Sequence, residues 1–160
     1  MIDEQIITPG QLHIFAQQWH RQNLKIVLTN GCFDIFHAGH LKTFIEAKKY
    51  GDILIVGINS DESVRVLKGE TRPIISEHDR SLMIAALKPV DYVTIFNEAN
   101  ACNLIEIIKP HIYVKGGDYK LDSLPEKDSL LRQKVDVKFI PLVAGISTSI
   151  IIEKIKNANI

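Results

Sequence analysis

The stretch that decides the fold covers residues 25–40 and reads KIVLTNGCFDIFHAGH. Its first part, 25–30, is a short apolar run without polar alternation, which is typical of a strand covered on both faces. A loop that contains a glycine follows, and residues 39–50 are predicted as a helix. The stretch therefore predicts a strand, a loop and a helix in immediate succession.

Strands and helices alternate through the rest of the chain. Further apolar runs predict strands at 53–58, 91–96, 111–115 and 137–141. Helical stretches are predicted at 77–88, 100–108 and 148–156, with a shorter one at 61–67. Such alternation is typical of a parallel sheet with helices on both faces. The predicted fold class is α/β: a single domain with a Rossmann-like, doubly wound parallel sheet of about five strands.

The N-terminal segment is predicted as a separate helix. Thr8 and Pro9 have the residue types of a helix cap and a first helical position, and the helix is predicted to end at about residue 22. Its apolar residues follow helical spacing on one face: Leu12, Phe15, Ala16 and Trp19. We expect a helical arm over 1–24 that packs on a main domain over 25–160.

Composition narrows the functional classes. The 160 residues contain 19 Lys and Arg against 19 Asp and Glu, so there is no broad basic field and we expect no nucleic-acid partner. No apolar run approaches the ~18–20 residues that a membrane span requires, and the first residues do not resemble a signal peptide. Cys32 and Cys102 form no disulfide or zinc pattern. A cytoplasmic protein without a membrane partner is the expectation.

Two histidines follow the first predicted strand. In doubly wound sheets, ligands bind beyond the carboxyl ends of the strands. His37 and His40 lie three residues apart at a predicted helix start, so their rings can share one face, and Gly39 lets a ligand approach the backbone. A helix start also offers N–H groups and the positive end of the helix dipole. The segment predicts a site for an anion such as phosphate.

The HAGH segment at 37–40 resembles the H-x-G-H signature of the nucleotidyltransferase superfamily, which includes the cytidylyltransferases. The resemblance extends over residues 25–155 and is strongest to the adenylyltransferases that make ADP-heptose from D-glycero-β-D-manno-heptose 1-phosphate. The other segments that carry it are NGCFD at 30–34, NSD at 59–61, LKG at 67–69, RP at 72–73, VKGGDY at 114–119 and GIST at 145–148. On this resemblance, 25–160 is a nucleotidyltransferase domain.

The resemblance implies a set of site residues. The implied catalytic residues are His37, His40 and Lys68. The implied nucleotide-binding residues are Gly31, Cys32, Phe33, Asp34, Gly39, Arg80, Lys115, Gly116, Asp118, Gly145, Ser147 and Thr148. Several also have a purely structural interpretation: Lys68 as part of a solvated loop, Ser147 as a helix cap, and Arg80 as a surface residue. For Arg80 the resemblance implies either phosphate contact or support of the site.

The reaction implied by the resemblance transfers AMP from ATP to the heptose 1-phosphate and releases pyrophosphate. Mg²⁺ is expected to accompany ATP, and no metal-ligand set is predicted in the protein itself. The product is expected to serve lipopolysaccharide or surface-glycan synthesis. Relatives commonly pair, which implies a homodimer.

Three alternatives remain at this stage. The first is a cytidylyltransferase that acts on glycerol 3-phosphate or a related polyol or amino-alcohol phosphate. Glycerol-3-phosphate cytidylyltransferases carry an arginine at the position of Leu142 and a glutamate at that of Ala144. Leu142 therefore favours the heptose branch. Ala144 departs from both branches, because heptose enzymes also carry a carboxylate at that position. The second is a regulatory nucleotide-binding module without turnover. The third, a dinucleotide-dependent oxidoreductase, is disfavoured because no G-x-G-x-x-G follows the first strand.

Overall fold

The computed structural model describes residues 2–158 and contains one five-stranded sheet. The strands are β1 Ile26–Gly31, β2 Ile53–Asn59, β3 Tyr92–Phe96, β4 Ile112–Gly116 and β5 Asp136–Ile140. All neighbours pair in parallel, in the order β3-β2-β1-β4-β5. The chain moves outward from β1 to β3 and then returns to the other side of β1 with β4. The predicted doubly wound α/β sheet is confirmed.

Within residues 2–158, seven α-helices connect or flank the strands. They are α1 Pro9–Arg21, α2 Ala38–Lys48, α3 Asp61–Lys68, α4 Glu77–Ala85, α5 Cys102–Ile108, α6 Lys127–Arg132 and α7 Thr148–Lys156. Two short 3₁₀ helices lie at Ile2–Gln5 and Leu121–Ser123. The prediction missed α6, which has only six residues and therefore too short an apolar pattern. It also placed the end of α4 too late; Lys88 precedes Pro89, which disfavours helix there.

The sheet separates two apolar cores. On one face, α1, α5 and α6 pack against side chains of β1 and β4 such as Leu28 and Tyr113. On the other face, α2 and α4 pack against the alternate side chains, such as Val27 and Val114. Burial on both faces explains why β1 and β2 are nearly continuous apolar runs.

Hydroxyl side chains begin four of the helices. Thr8 accepts the N–H of Gln11 in a capping box at the start of α1. The same hydrogen bond to the third helical residue is made by Ser60, Ser76 and Ser147 at α3, α4 and α7. Within residues 2–158, no helix is both long and apolar enough to cross a bilayer.

Candidate active site

A cavity of about 620 Å³ lies where β1 and β4 end. Twelve of the predicted site residues line it: Gly31, Cys32, Phe33, Asp34, Gly39, His37, His40, Lys68, Lys115, Gly116, Ser147 and Thr148. Arg80, Asp118 and Gly145 do not line it. The topological switch between β1 and β4 is the place where doubly wound sheets bind ligands.

The two histidine rings stack at the start of α2. Their centroids are 3.8 Å apart and their planes differ by 20°. His37 is the N-cap residue, and its Nδ1 accepts the Gly39 N–H at 3.1 Å. Because Nδ1 accepts, the neutral His37 ring carries its proton on Nε2, which can donate to a ligand. The pair therefore presents donors without a fixed charge.

Burial keeps both histidines neutral. It lowers the pKa of His37 below its usual 6.5. It lowers the pKa of His40 further, to about 4, with a smaller contribution from the neighbouring His37. His40 Nδ1 is buried and has no hydrogen-bond partner among the described residues. A buried polar atom without a hydrogen-bond partner lowers the stability of the fold. Such unpaired atoms are often found where a ligand supplies the missing partner.

Gly39 is required by this arrangement. A Cβ at Gly39 would lie 2.9 Å from two atoms of the His37 ring, closer than real contacts allow. The Gly39 N–H is also bonded to His37, so it is not a free anion donor as the sequence analysis expected. At this end of the cavity, the Nε2–H of His37 can donate to a ligand.

The start of α7 closes the same side of the cavity. Ser147 caps the helix through the Ile150 N–H, at 3.2 Å. The Thr148 hydroxyl donates to the carbonyl of Ile35 at 3.4 Å, which ties α7 to the loop after β1. Gly145, in the same segment, is exposed and has φ +77°, a conformation that suits glycine.

Asp34 holds the segment 72–75 in place through hydrogen bonds. Its carboxylate is buried and accepts the Ile74 and Ile75 N–H groups at 2.7 and 3.0 Å and the Arg72 Nε–H at 2.5 Å. Asp34 lines the cavity, as predicted, but both of its oxygens already accept bonds from the protein. Its position favours support of the 72–75 segment over contact with a nucleotide.

Arg80 supports the site from within the protein. Its side chain is completely buried, and its guanidinium donates to the carbonyls of Cys32, Asn59 and Ile75 and to the Asp61 carboxylate. Of the two roles that the resemblance left open, these contacts favour the supporting one. The place of Arg80 among the nucleotide-binding residues stays a prediction.

Lys115 belongs to a buried polar cluster on the face covered by α5 and α6. Its ammonium is 3.4 Å from Asn30 Oδ1 and 3.5 Å from the Tyr113 hydroxyl, which donates to the same Asn30 oxygen at 2.5 Å. Burial lowers the pKa of Lys115, and the nearby Glu126 carboxylate opposes this shift. Glu126 also lines the cavity. The sequence analysis missed Glu126, since nothing in its local sequence signals burial.

Four further predicted residues differ in their surroundings. Lys68 is exposed at the end of α3 and lines the cavity, where an anionic ligand can recruit it. Burial raises the pKa of Cys32, so its thiol stays protonated. Asp118 is exposed and lies outside the cavity lining. A Cβ at Gly116 would lie 2.8 Å from the Thr43 hydroxyl, so glycine allows α2 to approach β4 closely.

The H-x-G-H segment at a helix start, beyond the central strand of a Rossmann-like sheet, defines a nucleotidyltransferase. The chain belongs to the cytidylyltransferase-like family, whose model matches residues 28–154. It is 52% identical over 155 residues to the bifunctional protein HldE of Campylobacter jejuni and 46% identical over 155 residues to that of Wolinella succinogenes. Each alignment covers 97% of the chain and 32% of the relative, so the chain spans about a third of these proteins' length.

Two solved structures share the fold. The lipopolysaccharide core biosynthesis protein of Thermoplasma volcanium is 30% identical with a TM-score of 0.62, over 75% of this chain and 97% of that one. The pantoate-beta-alanine ligase of Francisella tularensis is 17% identical with a TM-score of 0.59, over 85% and 66% of the two chains. Because the identity to the ligase is only 17%, this similarity shows a shared fold and nothing more.

Proposed function

We propose that the chain transfers AMP from ATP to D-glycero-β-D-manno-heptose 1-phosphate, giving ADP-heptose and pyrophosphate. The observation that carries the proposal is the stacked, neutral pair of His37 and His40 at the start of α2, lining a cavity beyond β1. The high identity to HldE proteins supports this branch of the family, and the Thermoplasma structure supports a role in lipopolysaccharide synthesis. A homodimer and a cytoplasmic location remain part of this proposal.

The chemistry needs no covalent intermediate. A phosphate oxygen of the sugar 1-phosphate attacks the α-phosphorus of ATP, the bond to the bridging oxygen breaks, and pyrophosphate leaves in line. The phosphate is already a nucleophile, so the protein mainly positions two anions and stabilises the developing charge. The ring N–H groups of His37 and His40 donate to oxygens of the reacting phosphate chain. Lys68 and Lys115 supply positive charge.

Mg²⁺ fits this site as a companion of ATP. Among the described residues, no three His, Cys, Asp or Glu side chains lie together as a metal site. Asp34, a carboxylate in the cavity, already accepts three hydrogen bonds from the protein. Mg²⁺ prefers phosphate oxygens and retained waters to all-protein cages. Bound to the triphosphate, it neutralises charge on the phosphate oxygens.

We expect ATP to be preferred to CTP. Leu142, which lines the cavity and is exposed, stands where the glycerol-3-phosphate cytidylyltransferases carry a phosphate-binding arginine. The measurement is pyrophosphate release with each nucleotide against a panel of sugar, polyol and amino-alcohol phosphates. Equal or better turnover with CTP would replace the heptose assignment with the cytidylyltransferase alternative. No release with any pair would favour the regulatory module.

The neutral histidines also predict a flat pH profile above neutrality. Burial lowers the pKa of His37 below its usual 6.5 and that of His40 to about 4, so both rings are predominantly neutral at pH 7 and lose little further charge up to pH 9. We expect kcat at saturating substrates to vary by less than about twofold over this range. A decline of about tenfold per pH unit would instead show that a protonated group is required, and Lys115→Arg, which keeps its charge over this range, would then distinguish the Lys115 ammonium from an imidazolium.

A further inference from the structure

Glu126 carries a buried carboxylate oxygen that accepts no hydrogen bond from residues 2–158. The residue is 1% exposed, lies directly before α6 and lines the cavity. Its Oε1 accepts the Ala101 N–H at the start of α5, at 3.1 Å. Its Oε2 is buried and accepts no hydrogen bond within the described part of the chain. The Tyr113 hydroxyl lies close to this carboxylate but donates to Asn30 Oδ1 instead. A buried acceptor without a donor is costly, and more so when it is charged, so Oε2 is left to a donor from outside the described residues.

A cation with spare donors lies in the same cluster. The Lys115 ammonium has three N–H groups, and its closest oxygens, on Asn30 and Tyr113, are 3.4 and 3.5 Å away. No carboxylate forms an ion pair with it within 4 Å among residues 2–158. This end of the cavity therefore combines a donor for phosphate with an acceptor for a hydroxyl.

The Lys115 and Glu126 end lies across the sheet from the histidines. Tyr113 belongs to the core under α1, α5 and α6, and Lys115, two residues further along β4, projects to the same face. The histidines begin α2, which packs on the opposite face. In-line displacement places the attacking and leaving oxygens on opposite sides of the phosphorus. If the triphosphate lies against the histidines, the attacking substrate enters from the Lys115 side.

We propose that Glu126 determines specificity for the acceptor: its Oε2 accepts a hydrogen bond from a hydroxyl of the sugar 1-phosphate, whose phosphate lies against Lys115. This inference rests on the proposed function. The proposal requires the carboxylate to rotate until Oε2 faces the cavity while Oε1 keeps its bond to Ala101, and the broad terminal torsion of a glutamate permits such a rotation. The ribose of ATP offers the same hydroxyl chemistry, and the experiment separates the two sources.

The test compares wild type with Glu126→Gln. The amide oxygen of glutamine can still accept the Ala101 N–H, so the start of α5 keeps its cap, while the charged acceptor is lost. We expect KM for heptose 1-phosphate to rise about tenfold and KM for ATP to change by less than about twofold. Asp122→Asn is the matched control: its exposed side chain makes an ion pair with Lys127, and it should leave both KM values unchanged.

Heptose 1-phosphate analogues that each lack one hydroxyl give a second readout. The wild type should lose about tenfold in kcat/KM with one of them, and Glu126→Gln should show no further loss with that analogue. An increase in KM for ATP alone, or an equal analogue penalty in both proteins, would overturn the assignment. Wild type that is inactive with every sugar phosphate would refute the proposed function itself, and the Glu126 assignment with it.

Discussion

Alanine in place of His37 or His40 should lower kcat by about 10²–10³, which corresponds to about 2.7–4 kcal/mol of transition-state stabilisation. The reason is that preorganised donors act on oxygens whose charge grows as the α-phosphorus is attacked. Both rings are held in place before substrate binds, by the bond from Gly39 to His37 and by the stack itself. The measurements are kcat, KM for ATP and the melting temperature of each variant.

His37 has two proposed roles, in catalysis and in capping α2, and variants can test them separately. Loss of an N-cap acceptor typically costs about 1 kcal/mol of stability, so His37→Ala should also melt somewhat earlier. His37→Asn keeps a carbonyl that can accept the Gly39 N–H but removes the ring donor. We expect it to restore stability without restoring kcat. His78→Ala, at an exposed histidine of α4, is the control and should change neither quantity.

The double variant distinguishes one shared role from two. If both rings act on the same phosphate chain, the combined loss in kcat should be smaller than the product of the single losses. A fully multiplicative loss would mean that the two histidines act on separate steps. Folded single variants with near-normal turnover would remove the histidine mechanism altogether, whatever reaction the chain performs.

The fold was predictable because its determinants are local. The strands β1 and β2 are apolar runs buried on both faces, and residue types at helix starts, such as Thr8 and Ser147, match the caps in the structure. The histidine pair was predictable for the same reason, since residues three apart at a helix start necessarily share a face.

The partners of the polar site residues were not predictable in this way. Asp34 accepts hydrogen bonds from residues that lie 38 to 41 positions further along the sequence, and Glu126 accepts one from Ala101, 25 positions earlier. Residue type alone does not reveal whether a carboxylate will face a ligand or a backbone amide. Asp34 was therefore predicted as a ligand contact, and Glu126 was not singled out at all.

Arg80 shows the same limit most clearly, and its removal should give the largest loss of stability. Its four hydrogen bonds join the loop after β1, the end of β2, the start of α3 and the segment before α4, through Cys32, Asn59, Asp61 and Ile75. Arg80→Ala would leave buried carbonyls without donors and a carboxylate without its partner. Breaking such a buried pair typically costs about 3–5 kcal/mol, or roughly 6–20 °C in melting temperature for a chain of this size.

Two further variants decide between support and ligand contact at Arg80. Arg80→Lys keeps the charge, but one ammonium cannot make the four hydrogen bonds that the guanidinium makes in different directions. This variant should therefore recover only part of the stability that Arg80→Ala loses. Arg65→Ala, at an exposed arginine on α3, should melt like wild type. Because Arg80 is fully enclosed, the folded fraction of Arg80→Lys should keep a KM for ATP within about threefold of wild type. An unchanged melting temperature together with a tenfold higher KM for ATP would show that Arg80 reaches the nucleotide after all.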